Sequence, residues 1–75
     1  MSSDDLFQKL YTDVIDRAIE AKVSRCRVMQ TFMEAYQEHK KIHGSFKNHP
    51  EYGKVMSERY HFMHDRAVKY IEAHK

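Results

Sequence analysis

Hydrophobic residues recur at helical spacing along most of the chain. In residues 4–21 the apolar positions return as pairs every four residues, and these pairs are Leu6/Phe7, Leu10/Tyr11, Val14/Ile15 and Ala18/Ile19. A pair repeated at this interval forms the wide apolar face of an amphipathic helix. The pattern therefore predicts a first helix over residues 4–21, with Asp4 and Asp5 well placed at the positive end of its dipole.

Two further segments show the same periodicity. Residues 24–43 carry an apolar face and end in three basic side chains before Gly44, an arrangement that stops a helix. From Pro50 onward a second apolar stripe runs almost to the end of the chain, and proline suits the first position of a helix. The only Pro and both Gly of the chain lie between residues 44 and 53, so this stretch separates the segments, and we predict helices over residues 24–43 and 50–74.

The fold depends on whether residues 4–43 form one helix or two. One continuous helix also satisfies the pattern, and it would give a long helical hairpin that dimerises. If the chain turns at Lys22 instead, Ser24 caps the second helix, and Val23 and Val28 form a hydrophobic staple across its start. A continuous helix would leave Val23 outside the apolar face. We therefore predict an all-α fold, a small three-helix bundle.

Composition indicates a small globular protein. The chain has 75 residues, of which 41% are hydrophobic and 32% charged, so we expect a single helical domain over residues 1–75. Its one cysteine cannot form a disulfide within the chain. No segment approaches the roughly 18 apolar residues of a membrane span, and the polar amino terminus is unlike a signal peptide. We expect a cytoplasmic protein that does not contact a membrane.

The charges are unevenly distributed. Residues 1–21 contain five acidic and two basic side chains, whereas residues 22–47 contain six basic and two acidic ones. An anionic partner would therefore be attracted to the middle of the chain.

The predicted turn also carries a motif. A small residue, an aliphatic residue, a capping serine and a second aliphatic residue stand at Ala18, Val23, Ser24 and Val28. At these spacings they resemble the helix-turn-helix of DNA-binding proteins, with Lys22 where that motif commonly has glycine. The resemblance implies a DNA-binding transcriptional regulator that uses residues 18–31.

In that hypothesis the start of the second helix contacts DNA, because a reading helix presents its amino-terminal end to the major groove. Arginine and glutamine have suitable groups for guanine and adenine edges. The candidate nucleic-acid-binding residues are Lys22, Ser24, Arg25, Arg27 and Gln30. A plain helix with solvated arginines explains the same residues, so DNA binding is the alternative hypothesis.

Protein binding is the hypothesis that the composition favours. Five methionines and nine aromatic residues give an adaptable apolar surface. Aromatic and arginine side chains together are enriched at interface centres, and the candidate interface residues are Arg59, Phe62, Arg66 and Tyr70. We expect a non-catalytic interaction module of the adaptor or inhibitor type, which binds a protein of unknown identity and forms a homodimer.

The sequence offers little for chemistry. It has no Gly-rich phosphate loop and no nucleophile motif, so we expect neither enzyme activity nor a cofactor. The pairs His39/His43 and His61/His64 have ligand-like spacing, but pairing of the helices through the loop keeps them apart, and we expect no metal site. Cys26, between two arginines, is a candidate redox thiol, although a small half-buried residue is the simpler interpretation.

Overall fold

The computed structural model consists of three α-helices. They are α1 (Ser3–Ala21), α2 (Arg25–His43) and α3 (Tyr52–His74). The structure describes residues 3–44 and 50–75, without the side chains of residues 3 and 4. No helix within these ranges is long and apolar enough to span a membrane. The prediction of a small all-α three-helix bundle is confirmed, and the helix bounds lie within two residues of the predicted ones.

The third helix organises the bundle. It packs along both of the other helices, whereas α1 and α2 contact each other much less. The rings of Phe7 and Tyr60 lie 5.2 Å apart, and Asp13 is hydrogen-bonded to His64 further along both helices. Both contacts advance in the same direction, so α1 and α3 run parallel, and α2 runs antiparallel to them.

The core lies along the axis where the three helices meet. Its fully or almost fully buried members are Val14, Ala18, Val28, Phe32, Ala35, Met63, Ala67 and Ile71. Phe32 is the largest apolar side chain among them, and its ring meets those of Phe7 and Tyr11 edge-on at 6.0 and 6.1 Å. Aromatic pairs favour this geometry, and Phe32 of α2 therefore packs against two rings of α1.

A left-handed residue ends α1. Lys22 has a φ of 58°, and its N–H donates to the carbonyl of Ile19 at 3.1 Å. The N–H of Val23 donates to the carbonyl of Ala18 at 3.0 Å. These two hydrogen bonds are those of a Schellman motif. They satisfy carbonyls that the end of the helix would otherwise leave unpaired.

A cap starts α2 immediately afterwards. The Oγ of Ser24 accepts a hydrogen bond from the N–H of Arg27 at 3.5 Å, and Val23 packs against the core cluster that contains Val28. The predicted turn, cap and apolar staple are therefore present. The alternative of one continuous helix over residues 4–43 is wrong, because the turn at Lys22 breaks it.

The start of α3 differs from the prediction. Pro50 lies in a turn, and the helix begins at Tyr52. Glu51 has a φ of −96° and a ψ of 18°, the values of the third position in a type I turn, in which proline favours the second position. The proline therefore belongs to the β-turn that precedes α3, and not to the helix itself. Residues 48 and 49, which precede this proline, lie outside the described residues.

Candidate functional site

An open apolar groove lies between α1 and α2, where contact between these helices is sparse. Its volume is about 540 Å³, and its lining residues are Tyr11, Ile15, Arg25, Cys26 and Met29. This volume lies within the range of about 300–1,000 Å³ that is typical of binding pockets. Tyr11, Ile15 and Met29 are half-buried, whereas Arg25 and Cys26 are exposed.

Helical spacing explains how these residues come together. Tyr11 and Ile15 lie one turn apart on one flank of α1, and Arg25 and Met29 lie one turn apart on the facing flank of α2. Residues four positions apart share a face, so each helix contributes one continuous wall. The sequence placed Ile15 and Met29 on apolar faces, but it gave no sign that both faces extend beyond the core.

Two exposed apolar side chains extend the groove at its ends. Ile19, one turn after Ile15, is 54% exposed, and Met33, one turn after Met29, is 44% exposed. From Tyr11 to Ile19 the apolar strip covers about 12 Å of helix. We call the set formed by Tyr11, Ile15, Ile19, Arg25, Cys26, Met29 and Met33 the α1–α2 groove surface.

Arg25 supplies the charge of this surface. It is the only charged lining residue of the groove among those the structure describes. Its guanidinium makes no hydrogen bond or ion pair with another described residue, and the first turn of α2 contains no acidic residue. The groove therefore combines apolar walls with an unneutralised positive charge at the end near the turn.

Arg59 occupies a different place from the one predicted. It was expected at a protein interface, but it is only 1% exposed. Its Nε donates to Nδ1 of His39 at 3.0 Å, and its Nη2 donates to the carbonyl of Gly44 at 2.7 Å. A long arginine side chain at the edge of an apolar stripe can run inward as well as outward. Here it runs inward because acceptors at the end of α2 are within reach.

Two of the other predicted interface residues, Phe62 and Arg66, contact α2, and Tyr70 contacts its own helix. Arg66 forms an ion pair with Glu38 at 3.1 Å, and its guanidinium lies 4.9 Å from the ring centroid of Phe62. The ring of Tyr70 stacks on that of His74 at 4.1 Å. All three predicted residues are half-buried. They are partnered within the chain, so whether they also bind another protein stays a prediction.

Arg59 and His39 form the centre of a buried polar cluster at the carboxyl end of α2. Arg59 also donates to the sulfur of Met56 at 3.6 Å and lies 5.3 Å from the ring centroid of Tyr36. Burial lowers the pKa of His39, and the charges of His43 and Arg59 lower it further. Because Nδ1 accepts the hydrogen bond from Arg59, this imidazole is neutral.

One residue of the first histidine pair already has a partner within the chain. The rings of His39 and His43 lie 4.3 Å apart, but His39 is engaged by Arg59. Within residues 3–44 and 50–75, no three His, Cys, Asp or Glu side chains form a group that could hold a metal ion.

A second polar cluster connects α1 to α3. Oδ2 of Asp13 lies 2.6 Å from Nε2 of His64 and accepts a hydrogen bond from Nε of Arg17 at 2.8 Å. The hydrogen bond with His64, followed by that from Arg17, lowers the pKa of Asp13 below its ordinary value. The lowered pKa favours the ionised carboxylate, which joins the two parallel helices by its contact with His64.

The predicted DNA-contacting residues are accessible, but they lie on different faces of the molecule. All five are exposed, namely Lys22, Ser24, Arg25, Arg27 and Gln30. Arg25 lines the groove, and Arg27 is about 200° further around the same helix. Nε2 of Gln30 donates to Oε1 of Glu34 at 3.2 Å, which brings an acidic side chain onto the face that DNA phosphates would approach. These residues do not form one continuous basic face.

Comparisons with known proteins identify no relative. No family model matches the chain, and neither the curated proteins nor the solved structures contain a match. Function must therefore be inferred from the chemistry of the surface itself.

Proposed function

We propose that this chain is a non-catalytic helical interaction module that binds a segment of another protein on the α1–α2 groove surface. The observation that carries the proposal is the apolar groove of about 540 Å³, continued by Ile19 and Met33 at its exposed ends. Contiguous exposed apolar surface of this kind is typical of interaction sites. The surface also contains tyrosine, methionine and arginine, the residue types enriched at interfaces.

The arrangement of the helices supports the same proposal. α3 packs along α1 and α2 but leaves the outer side of their junction open. An additional helix placed there would be the fourth member of a helical bundle and would cover the apolar walls. Recognition of a helix in a groove is a common mode of protein binding.

DNA binding is a second candidate, and the turn at Lys22 favours it. The turn matches the helix-turn-helix hypothesis in its cap and its apolar staple. It is the weaker candidate because Arg25 and Arg27 lie on different sides of α2 and Glu34 accompanies Gln30. A DNA complex would need both arginines, whereas a groove complex would need only Arg25.

Selection of peptide ligands tests the main proposal. A displayed library of helical peptides would be selected against the wild-type protein and then assayed against two variants. In Met29→Glu a charge enters the groove. In Ile42→Glu, the control, the charge replaces an apolar α2 residue that is 68% exposed and does not line the groove. We expect the selected peptides to bind the wild type and Ile42→Glu at least ten times more tightly than Met29→Glu.

Failure of that selection would count against the proposal in two ways. Either no peptide is enriched, or the enriched peptides bind Met29→Glu as well as they bind the wild type. Circular dichroism of both variants confirms that the comparison concerns folded proteins.

A DNA titration separates the two candidates. If the protein reads DNA, its affinity for duplex DNA falls steeply between low and moderate salt, and Arg25→Ala and Arg27→Ala both weaken binding. On the main proposal we expect weak binding that neither substitution changes more than about twofold. Strong, salt-dependent binding that requires both arginines would make DNA the better account.

A further inference from the structure

We infer that the segment bound on the α1–α2 groove surface is an acidic amphipathic helix with one apolar stripe and a carboxylate that pairs with Arg25. This inference rests on the proposed function and specifies the partner. It follows from three properties of the surface: the type of element that forms its walls, the length of its apolar strip, and its charge.

The walls favour a helical ligand over an extended one. Both walls are α-helices, and beyond their terminal turns the backbone N–H and C=O groups are bonded within each helix. An extended peptide would find no strand edge to pair with, so its own backbone groups would lose water without gaining partners. A helical ligand satisfies its backbone internally and brings only side chains to the groove.

The dimensions set the length of the ligand. The apolar strip from Tyr11 to Ile19 covers about 12 Å, which corresponds to a little more than two helical turns. Apolar side chains at positions i, i+3 or i+4, and i+7 span that distance on one face. They would meet Tyr11 and Ile15 on one wall and Met29 on the other.

The positive charge of Arg25 determines which charge the ligand should carry. Arg25 is the only charged lining residue described, and it is unpartnered. Lys22, in the adjoining turn, is also exposed. A carboxylate on the ligand would therefore be attracted to this end, whereas a cationic ligand would be repelled, and complementarity of this kind chiefly sets specificity.

The same charge argues against a second copy as the occupant. The apolar centre of α1 is used within the chain, since Val14 and Ala18 are fully buried. Two copies placed groove to groove would bring no carboxylate to Arg25, because no acidic residue lines the groove among the described residues. We therefore assign this surface to a different protein, and the predicted homodimer would have to use another face.

Three synthetic helical peptides test the inference. The first has a leucine stripe and glutamates, the second has the same stripe with lysines, and the third contains the residues of the first in a scrambled order. Binding is measured by fluorescence anisotropy. We expect the leucine and glutamate peptide to bind the wild type at least ten times more tightly than either of the others.

Matched arginine variants locate the charge. Arg25→Glu should reverse the preference, so that the lysine peptide binds more tightly than the glutamate peptide. Arg27→Glu makes the same change of charge two residues away and should leave the order of the peptides unchanged. An unchanged preference in Arg25→Glu, or equal effects of the two substitutions, would overturn the inference.

The single cysteine reports directly on the groove. Cys26 is exposed and lines it, so a bound peptide should slow the reaction of this thiol with a disulfide reagent at least fivefold. If the glutamate and lysine peptides protect Cys26 equally, and Met29→Glu abolishes both effects, the partner is not selected by charge, and only this inference fails.

Two further results would overturn the proposed function or the assigned partner. If neither these peptides nor the library yields a ligand that protects Cys26, the proposed function fails as well. If raising the protein concentration alone protects Cys26 while sedimentation equilibrium shows a doubled mass, a second copy occupies the groove, and the assignment to an acidic helix of another protein is wrong.

Discussion

The two ends of α2 use arginine in opposite ways. At the carboxyl end Arg59 of α3 is 1% exposed and donates to His39 and to the carbonyl of Gly44. At the amino end Arg25 is exposed beside an apolar groove and has no partner among the described residues. An arginine therefore stabilises the fold at one end of α2, whereas at the other end an arginine is exposed and unpaired.

The largest expected change in stability comes from Arg59→Ala, and Arg25→Ala is its comparison. Arg59→Ala leaves His39 and the Gly44 carbonyl without their donor, and it opens space between α2 and α3. We expect it to lower the free energy of unfolding by about 2–4 kcal/mol. Arg25→Ala removes an exposed, unpartnered side chain and should change the free energy of unfolding by no more than about 0.5 kcal/mol.

Urea unfolding followed by circular dichroism measures both values. The contrast between the two ends is wrong if the two substitutions have equal effects. An Arg59→Lys variant adds a check, because lysine keeps the charge but lacks the planar fork that reaches both acceptors. It should recover less than half of the lost stability.

This contrast also shows where prediction from sequence succeeds. Periodicity identified three helices, and the turn at Lys22 followed from Ser24 as a cap and Val23 with Val28 as a staple. These signals are local, because a cap or a staple depends on residues within one turn of each other. Local chemistry alone was therefore enough to distinguish the three-helix bundle from the long hairpin.

Two features depend on tertiary distances and could not be read from the sequence. Arg59 stands at the edge of an apolar stripe, where helical spacing does not decide whether a long side chain runs inward. The groove exists because α3 packs along α1 and α2 more closely than these two pack together. In the sequence, Ile15 and Met29 look like core residues, and only the packing shows that they are half-buried walls.

The next largest change in stability is expected at Gly44, whose carbonyl accepts a hydrogen bond from Arg59. Gly44 has a φ of 75° and a ψ of −176°, a region that is essentially restricted to glycine. A Cβ at this position would meet no atom of the described residues within 4 Å, so we attribute the cost of Gly44→Ala to the backbone conformation. We expect a loss of about 1–3 kcal/mol, measured by urea unfolding.

Gly53→Ala is the matched control. A Cβ there also meets no described atom within 4 Å. Gly53 is the second residue of α3, its φ is not positive, and alanine is a better helix former than glycine. This variant should be at least as stable as the wild type. Equal destabilisation by both substitutions would contradict the account of Gly44.

A pH effect should originate at the same end of α2. His39 is neutral in the folded protein, and burial lowers its pKa from the ordinary value of 6.5. Below about pH 6.5 the unfolded chain binds a proton at this residue that the folded protein does not. The contribution of neutral His39 is therefore complete above pH 6.5 and is lost as the pH falls toward its lowered folded pKa.

Two glutamine variants isolate this effect. His39→Gln retains an oxygen that can accept from Arg59 but cannot titrate, so its free energy of unfolding should fall less between pH 7.5 and pH 5 than that of the wild type. His61→Gln replaces an exposed histidine and should follow the wild type. The other charged groups that act on His39 are His43, Arg59 and Glu58, and both variants keep them. Parallel pH profiles for His39→Gln and the wild type would refute the prediction.

The smallest expected change in stability concerns the turn at Lys22, between α1 and α2. Lys22 has a φ of 58°, which costs a residue with a Cβ about 1–2 kcal/mol. Lys22→Gly removes this cost but adds freedom to the unfolded chain, so we expect a net gain in the free energy of unfolding of about 0.5–1 kcal/mol. Lys22→Ala removes the same side chain without relieving the backbone, so only a gain specific to glycine supports this account. Because the Schellman hydrogen bonds use backbone groups alone, Lys22→Gly should leave Arg25 beside the groove and peptide binding unchanged.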